Sequence, residues 1–142
     1  MIVVDVNLLL YAVIDGFPEH PRTREWWEIT LNSTTEVGLT GPAIFGFLRI
    51  STNPRVLRSP VPIEEATALA TDWLAQPNVE FLRPGPRHLE IAFTLLRDVG
   101  TAGNLTTDAQ LAAFAIEHGA DLCSNDTDFG RFHGLRWVNP LA

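Results

Sequence analysis

"TTDAQLAAFAIEHGADLCSNDTDF" (residues 106–129) decides the fold. The stretch from Asp108 to His118 is an alanine-rich helical segment that Thr106 or Thr107 can cap and Gly119 can end. "ADLCS" (120–124) then reads as a short apolar strand. A helix that runs straight into a buried strand is one half of an α/β crossover, and such strands belong to largely parallel sheets. Two carboxylates, Asp126 and Asp128, follow the strand two residues apart.

The same alternation extends to both ends of the chain. "MIVVD" is a β-branched strand, and Asn7 to Ile14 suits a helix. Pro21 opens a second helix with Trp26, Trp27 and Leu31 on its apolar side. "EVGLT" (36–40) is a strand, and "GPAIFGFLRIST" is a helix stopped by Asn53-Pro54. Pro62, Glu64 and Glu65 begin a helix that reaches Ala75, with acids where the helix dipole favours them. "NVEFL" (78–82) is a third strand, Pro86 to Val99 a helix, and Gly100 to Asn104 a loop. "LRWV" (135–138) supplies a fifth strand. The reading is an α/β fold with a mostly parallel sheet of four or five strands, in one domain spanning 1–142.

Composition narrows the function. Apolar residues make up 46% of 142 residues, enough for a sizeable core and against disorder. No run approaches the roughly 18 apolar residues that cross a membrane. The apolar start lacks a positive n-region and contains Asp5, so it reads as strand and helix rather than signal peptide, and the expected location is the cytoplasm. One cysteine, Cys123, leaves no intramolecular disulfide and no multi-cysteine zinc site. The net charge of −7 argues against nucleic-acid binding by bulk charge. All ten basic residues are arginine, which codon bias explains, although arginine also suits phosphate.

Ligand sites in open parallel sheets lie beyond the carboxyl ends of the strands. Asp5 ends the first strand, Asp126 follows the fourth, and Asp108 opens a helix whose start lies on the same rim. Taken singly, Asp108 is an ordinary first-turn acid and Asp126 a turn residue. Asp5 resists such an explanation, because apolar segments flank it on both sides and a buried, unpaired carboxylate is costly. A cluster of hard oxygens without Cys or His ligand spacing suits Mg²⁺ or Mn²⁺. Such an ion activates water toward a phosphate. Asp128 reads as a turn or capping residue ahead of Phe129, with metal contact as its secondary role.

"VVDVNLLLYA" (3–12), "FLRISTNPRV" (47–56), "GNLTTDAQLAAFAIEHGADLCSNDTDF" (103–129) and "GLRWVNPL" (134–141) together resemble the PIN-domain ribonucleases of the VapC toxin family. The resemblance implies a three-layer α/β/α sandwich and a metal-dependent endoribonuclease. It further implies an RNA substrate, a homodimer and a small VapB-like antitoxin. By the same resemblance Asp5, Asp108 and Asp126 are the metal-binding and catalytic acids. Asn7, Thr107 and Ser124 orient carboxylates or water, and Arg49 contacts RNA. The chain departs from the family on one helix, where alignment through "FLRIST" places Ile44 at the position of a glutamate. That departure keeps a second reading open, a scaffold with impaired catalysis that acts as a binding module. An aspartate-based phosphotransfer domain is a third, but its site normally uses a lysine and this chain has none. The four histidines show no ligand spacing. The tryptophans read as core or dimer interface, and the surface near Phe45, Phe47 and Leu48 as an antitoxin groove.

Overall fold

The computed structural model describes residues 1–142. Five short strands form one sheet: β1 (Ile2–Val4), β2 (Val37–Leu39), β3 (Val79–Phe81), β4 (Asp121–Cys123) and β5 (Trp137–Val138). Their order is β3-β2-β1-β4-β5, and every pairing is parallel. Six helices connect them: α1 (Val6–Val13), α2 (His20–Leu31), α3 (Gly41–Ser51), α4 (Ile63–Leu74), α5 (His88–Val99) and α6 (Thr106–Glu117). α1 packs on α2 and α3, α3 on α4, and α5 on α6, which divides the helices into two layers about the sheet. The fold is the α/β/α sandwich that the alternation and the resemblance implied.

Strands of three residues survive because both faces are covered. Val3, Val4, Val37, Leu39 and Leu122 are wholly buried, which explains their unbroken apolar character. Trp27 and Phe47 both pack against Trp73, with ring centroids 5.8 and 5.0 Å away, so two of the four tryptophans are core residues. Cys123 is buried and its thiol is pushed up to about 12, mainly by that burial, so it is a small apolar side chain rather than a nucleophile.

Two of the element ends that differ from the sequence reading have a clear physical cause. The helix expected from Pro86 begins at His88, because the Glu117 carboxylate accepts hydrogen bonds from the backbone N–H groups of Gly85 and Arg87 (both 2.8 Å) and holds them in the loop. Neither Thr106 nor Thr107 caps α6. A 3-10 turn at Gly103–Leu105, inside the expected loop, leads into the helix, and the Thr106 hydroxyl donates backward to the Gly103 carbonyl (3.1 Å). With that turn already helical in sense, no extended capping residue precedes α6.

The strand order matters for function. From β1 the chain moves outward to β2 and β3, then crosses back to β4 on the other side of β1. The connections therefore diverge beyond the carboxyl ends of β1 and β4, where a parallel sheet leaves a crevice.

One glycine in the sheet carries a packing constraint. A Cβ on Gly38 would lie 2.4 Å from Leu82 Cδ1 and 2.8 Å from its Cγ, and Leu82 is itself only 2% exposed. Gly38→Ala is expected to destabilise the protein by about 1–3 kcal/mol through this overpacking. Adding Leu82→Val should restore part of the loss. Thermal melts of the single and double variants check this, and strictly additive losses would refute the contact.

Candidate metal centre

Asp5 follows β1 directly and caps α1. Its Oδ1 accepts from the Val6 N–H (2.7 Å), and its Oδ2 accepts from the Ser124 hydroxyl (2.7 Å). The residue is only 6% exposed. Burial raises its carboxyl above the usual range, the Ser124 and Val6 hydrogen bonds pull it back, and the nearby Asp126 charge adds to the rise. The partner that the sequence demanded for Asp5 is therefore in part a hydroxyl from across the sheet.

Ser124 is the junction of the site. It is wholly buried at the end of β4, and its oxygen also accepts from the Asp126 N–H (2.9 Å). Its backbone is held by β5: its N–H donates to the Val138 carbonyl (3.0 Å), and the Trp137 indole donates to its own carbonyl (3.0 Å). Beside it, the Asn125 side-chain oxygen accepts from Asn139 Nδ2 (3.1 Å). The Asn139 oxygen accepts from the Leu141 N–H, and Arg22 of α2 donates to the Leu141 carbonyl. The "VNPL" segment thus straps the acid-bearing loop to the body. Sequence reasoning missed Asn125, Asn139 and Tyr11, whose phenol is raised above its ordinary value chiefly by burial and further by the nearby acids.

Asp126 keeps the place in the acid cluster read from the sequence and also takes the capping role, while Asp128 joins the cluster. Asp126 caps the 3-10 turn Thr127–Arg131, its Oδ1 accepting from the Asp128 N–H (2.9 Å). Asp128 is exposed, yet its carboxylate stands with those of Asp108 and Asp126, the three offering oxygens within 4.8 Å of one another. An acid at the N-cap of a tight turn brings the acid two residues on to its own side, a spacing the bare sequence leaves ambiguous. Asp108 lies in the first turn of α6 and is half-buried. Its pKa is pushed up to about 7, first by burial and then by the charges of Asp5, Asp126 and Asp128.

Three carboxylates this close to one another, with a fourth next to them, repel one another strongly in a partly dry site. No arginine relieves them, since the ion pairs of the chain are Arg24–Glu28, Arg87–Glu90 and Arg136–Asp121. The donor set is oxygen only, which fits a hard divalent cation. The buried Asn7 side-chain oxygen, two residues along the chain from Asp5, has no hydrogen-bond partner and is a further oxygen able to ligate a cation.

Other expected residues fall at the margin. Thr107 and Arg49 are exposed and line a cleft beside the acids rather than bonding to them. Ile44 is packed in the core at 8% exposure. The α3 residues on the cleft are Pro42, Phe45, Gly46 and Arg49, so this helix presents no carboxylate there.

Residues 2–135 match the PIN domain family model. The chain is 57% identical to Ribonuclease VapC33 of Mycobacterium tuberculosis over 141 residues, 99% of each protein. Its fold is similar to that of M. tuberculosis VapC20, a sarcin-ricin loop cleaving toxin (TM-score 0.70, 18% identity, 96% of this chain and 99% of that one). It is equally similar to a chain of VapBC2 from Rickettsia felis bound to a DNA fragment from their promoter (TM-score 0.70, 18% identity, 98% of each).

The acid cluster sets a pH dependence. A carboxyl with a raised folded-state pKa favours the fold while protonated, so its contribution is complete below its ordinary value of 3.8 and is lost as pH rises to about 7. In a chelator, thermal stability is expected to fall across this window, and Asp108→Asn should flatten the decline. Divalent cation should raise the melting temperature most at the upper end of the window, where the acids are ionised. A chelated wild type whose melting temperature is level across the window would refute this.

Proposed function

Since the chain belongs to the PIN-domain family and, within it, to the VapC ribonucleases, we propose that Asp5, Asp108 and Asp126, joined by Asp128, hold a divalent cation with which it cleaves RNA. The carrying observation is the trio of carboxylates within 4.8 Å, adjacent to buried Asp5 and without a compensating arginine. The protein is an endoribonuclease toxin acting as one domain over residues 1–142. Mg²⁺ or Mn²⁺ suits the oxygen donors, and when bound it would polarise the phosphate and supply hydroxide from water.

The chain's own groups prepare that chemistry. Ser124 fixes Asp5 by its hydroxyl and the Asp126 backbone by its oxygen, so the two acids cannot drift apart. Asp108, with its pKa pushed up to about 7 by burial and neighbouring charge, would release its proton on holding a cation. Asn7 contributes a neutral oxygen, Thr107 borders the cleft, and Arg49 offers a phosphate contact. The substrate is RNA, as the name of the M. tuberculosis relative states for that protein. The Rickettsia complex supports a small VapB-like antitoxin as partner. A homodimer and a cytoplasmic location belong to the same reading. No helix is long and apolar enough to cross a membrane.

The lack of a carboxylate from α3 favours one rival, a binding module without catalysis. Titration calorimetry with Mn²⁺ and an RNA-cleavage assay separate the two. Asp5→Asn, Asp108→Asn and Asp126→Asn are expected to abolish metal-dependent cutting. Ser124→Ala should cost about 10–100-fold in metal affinity or rate, as loss of a residue that orients a metal ligand does. Asp126→Asn should cost more than Asp128→Asn, because the exposed Asp128 carboxylate is the better solvated of the two. Equal losses would show the pair to be equivalent, and tight antitoxin binding without metal binding would favour the module.

A further inference from the structure

Beside the acid cluster, α1, α3 and α6 enclose a pocket of about 410 Å³. Its floor is the contact of Gly46 with Val6: a Cβ on Gly46 would lie 2.8 Å from Val6 Cγ2, so α3 rests directly on the residue whose N–H donates to Asp5. Thr107, on the α6 side, immediately precedes Asp108. The pocket is therefore lined on two sides by the sequence neighbours of Asp5 and Asp108. Phe45 and Arg49, one helical turn apart on α3, form one wall, and Gln110 of α6 stands on the other.

These residues have the chemistry of a nucleotide. Phe45 is 71% exposed, more than any other large apolar side chain of the protein. Arg49 is exposed and joins none of the ion pairs, a free cation next to a cluster of acids in a chain of net charge −7. Gln110 brings an amide that donates and accepts. An aromatic face, a guanidinium and an amide around a cavity of this size match a base, its phosphate and its edge. The free cation argues for RNA over an apolar helix, because the acids alone would repel a polyanion.

Resting on the ribonuclease reading above, we propose that this pocket is the nucleobase subsite for the nucleotide flanking the scissile phosphate. Phe45 stacks on the base, Arg49 holds a phosphate, and Gln110 reads the base edge.

The test uses the full chain and short single-stranded RNAs that differ only in the nucleotides around the cut. Phe45→Ala is expected to raise KM about tenfold or more with kcat near wild type, and Phe45→Trp to retain wild-type KM. Gln110→Ala should flatten the base preference. Arg49→Gln should weaken all sequences alike and reduce the salt dependence. Melting temperature and molecular mass in solution should not change. In the Asp126→Asn background, anisotropy of a labelled RNA with Mg²⁺ measures binding without cutting, and Phe45→Ala should again weaken it about tenfold. Unchanged KM and binding in Phe45→Ala overturn the subsite, as does conversion of a dimer to a monomer, which would place a second copy on the ring. If RNA binds in a Phe45-dependent way but wild type never cuts it, the subsite stands and the ribonuclease reading falls.

Discussion

The Ser124 hydroxyl donating to Asp5 at 2.7 Å, in a wholly buried position, is the contact on which the rest of the site depends. It ties the end of β1 to the end of β4, the two strands between which the chain reverses direction across the sheet. A buried carboxylate needs hydrogen bonds, and a buried hydroxyl needs an acceptor. Each meets the need of the other, and the same oxygen takes the Asp126 N–H. A single side chain therefore sets the spacing of two acids that lie far apart in sequence.

Around this junction the protein concentrates negative charge without arginine relief. Asp108 responds with a pKa near 7, and Asp5 is also raised. Such an arrangement costs stability when all acids are ionised, and functional sites commonly carry such a cost. The surrounding structure tolerates it because the strands beneath are fully covered and the loop above is tied down twice. β5 holds the Ser124 backbone, and Asn139 holds Asn125. The chain's last strand and the "VNPL" that follows it thus serve the site from outside it.

Much of this was legible in the residues. Buried strands of Val, Ile and Leu with helices between them announce a parallel sheet, since only a sheet covered on both faces tolerates unbroken apolar runs. The positions of Asp5, Asp108 and Asp126 at strand ends and a helix start pointed to one rim. Asp128 was harder to place, because whether an acid two residues beyond another faces the same way depends on the turn between them. Asn125, Asn139 and the cleft wall of Phe45 and Gln110 left no trace in spacing, because they meet through contacts between distant segments.

By itself, then, the sequence determined the alternation of strands and helices, the acids at their ends and the family resemblance. These rest on local periodicity and on residue types whose burial would otherwise be costly. Only the tertiary structure decided that Asp128 joins Asp108 and Asp126 in the cluster while Asp126 also caps the turn, that Ile44 belongs to the core, and that α3 faces the cleft with Phe45 and Arg49. A helix offers several faces to choose from, and which one meets the site is settled by how α3 packs on α1 at Gly46, a contact between segments some forty residues apart that local sequence does not encode.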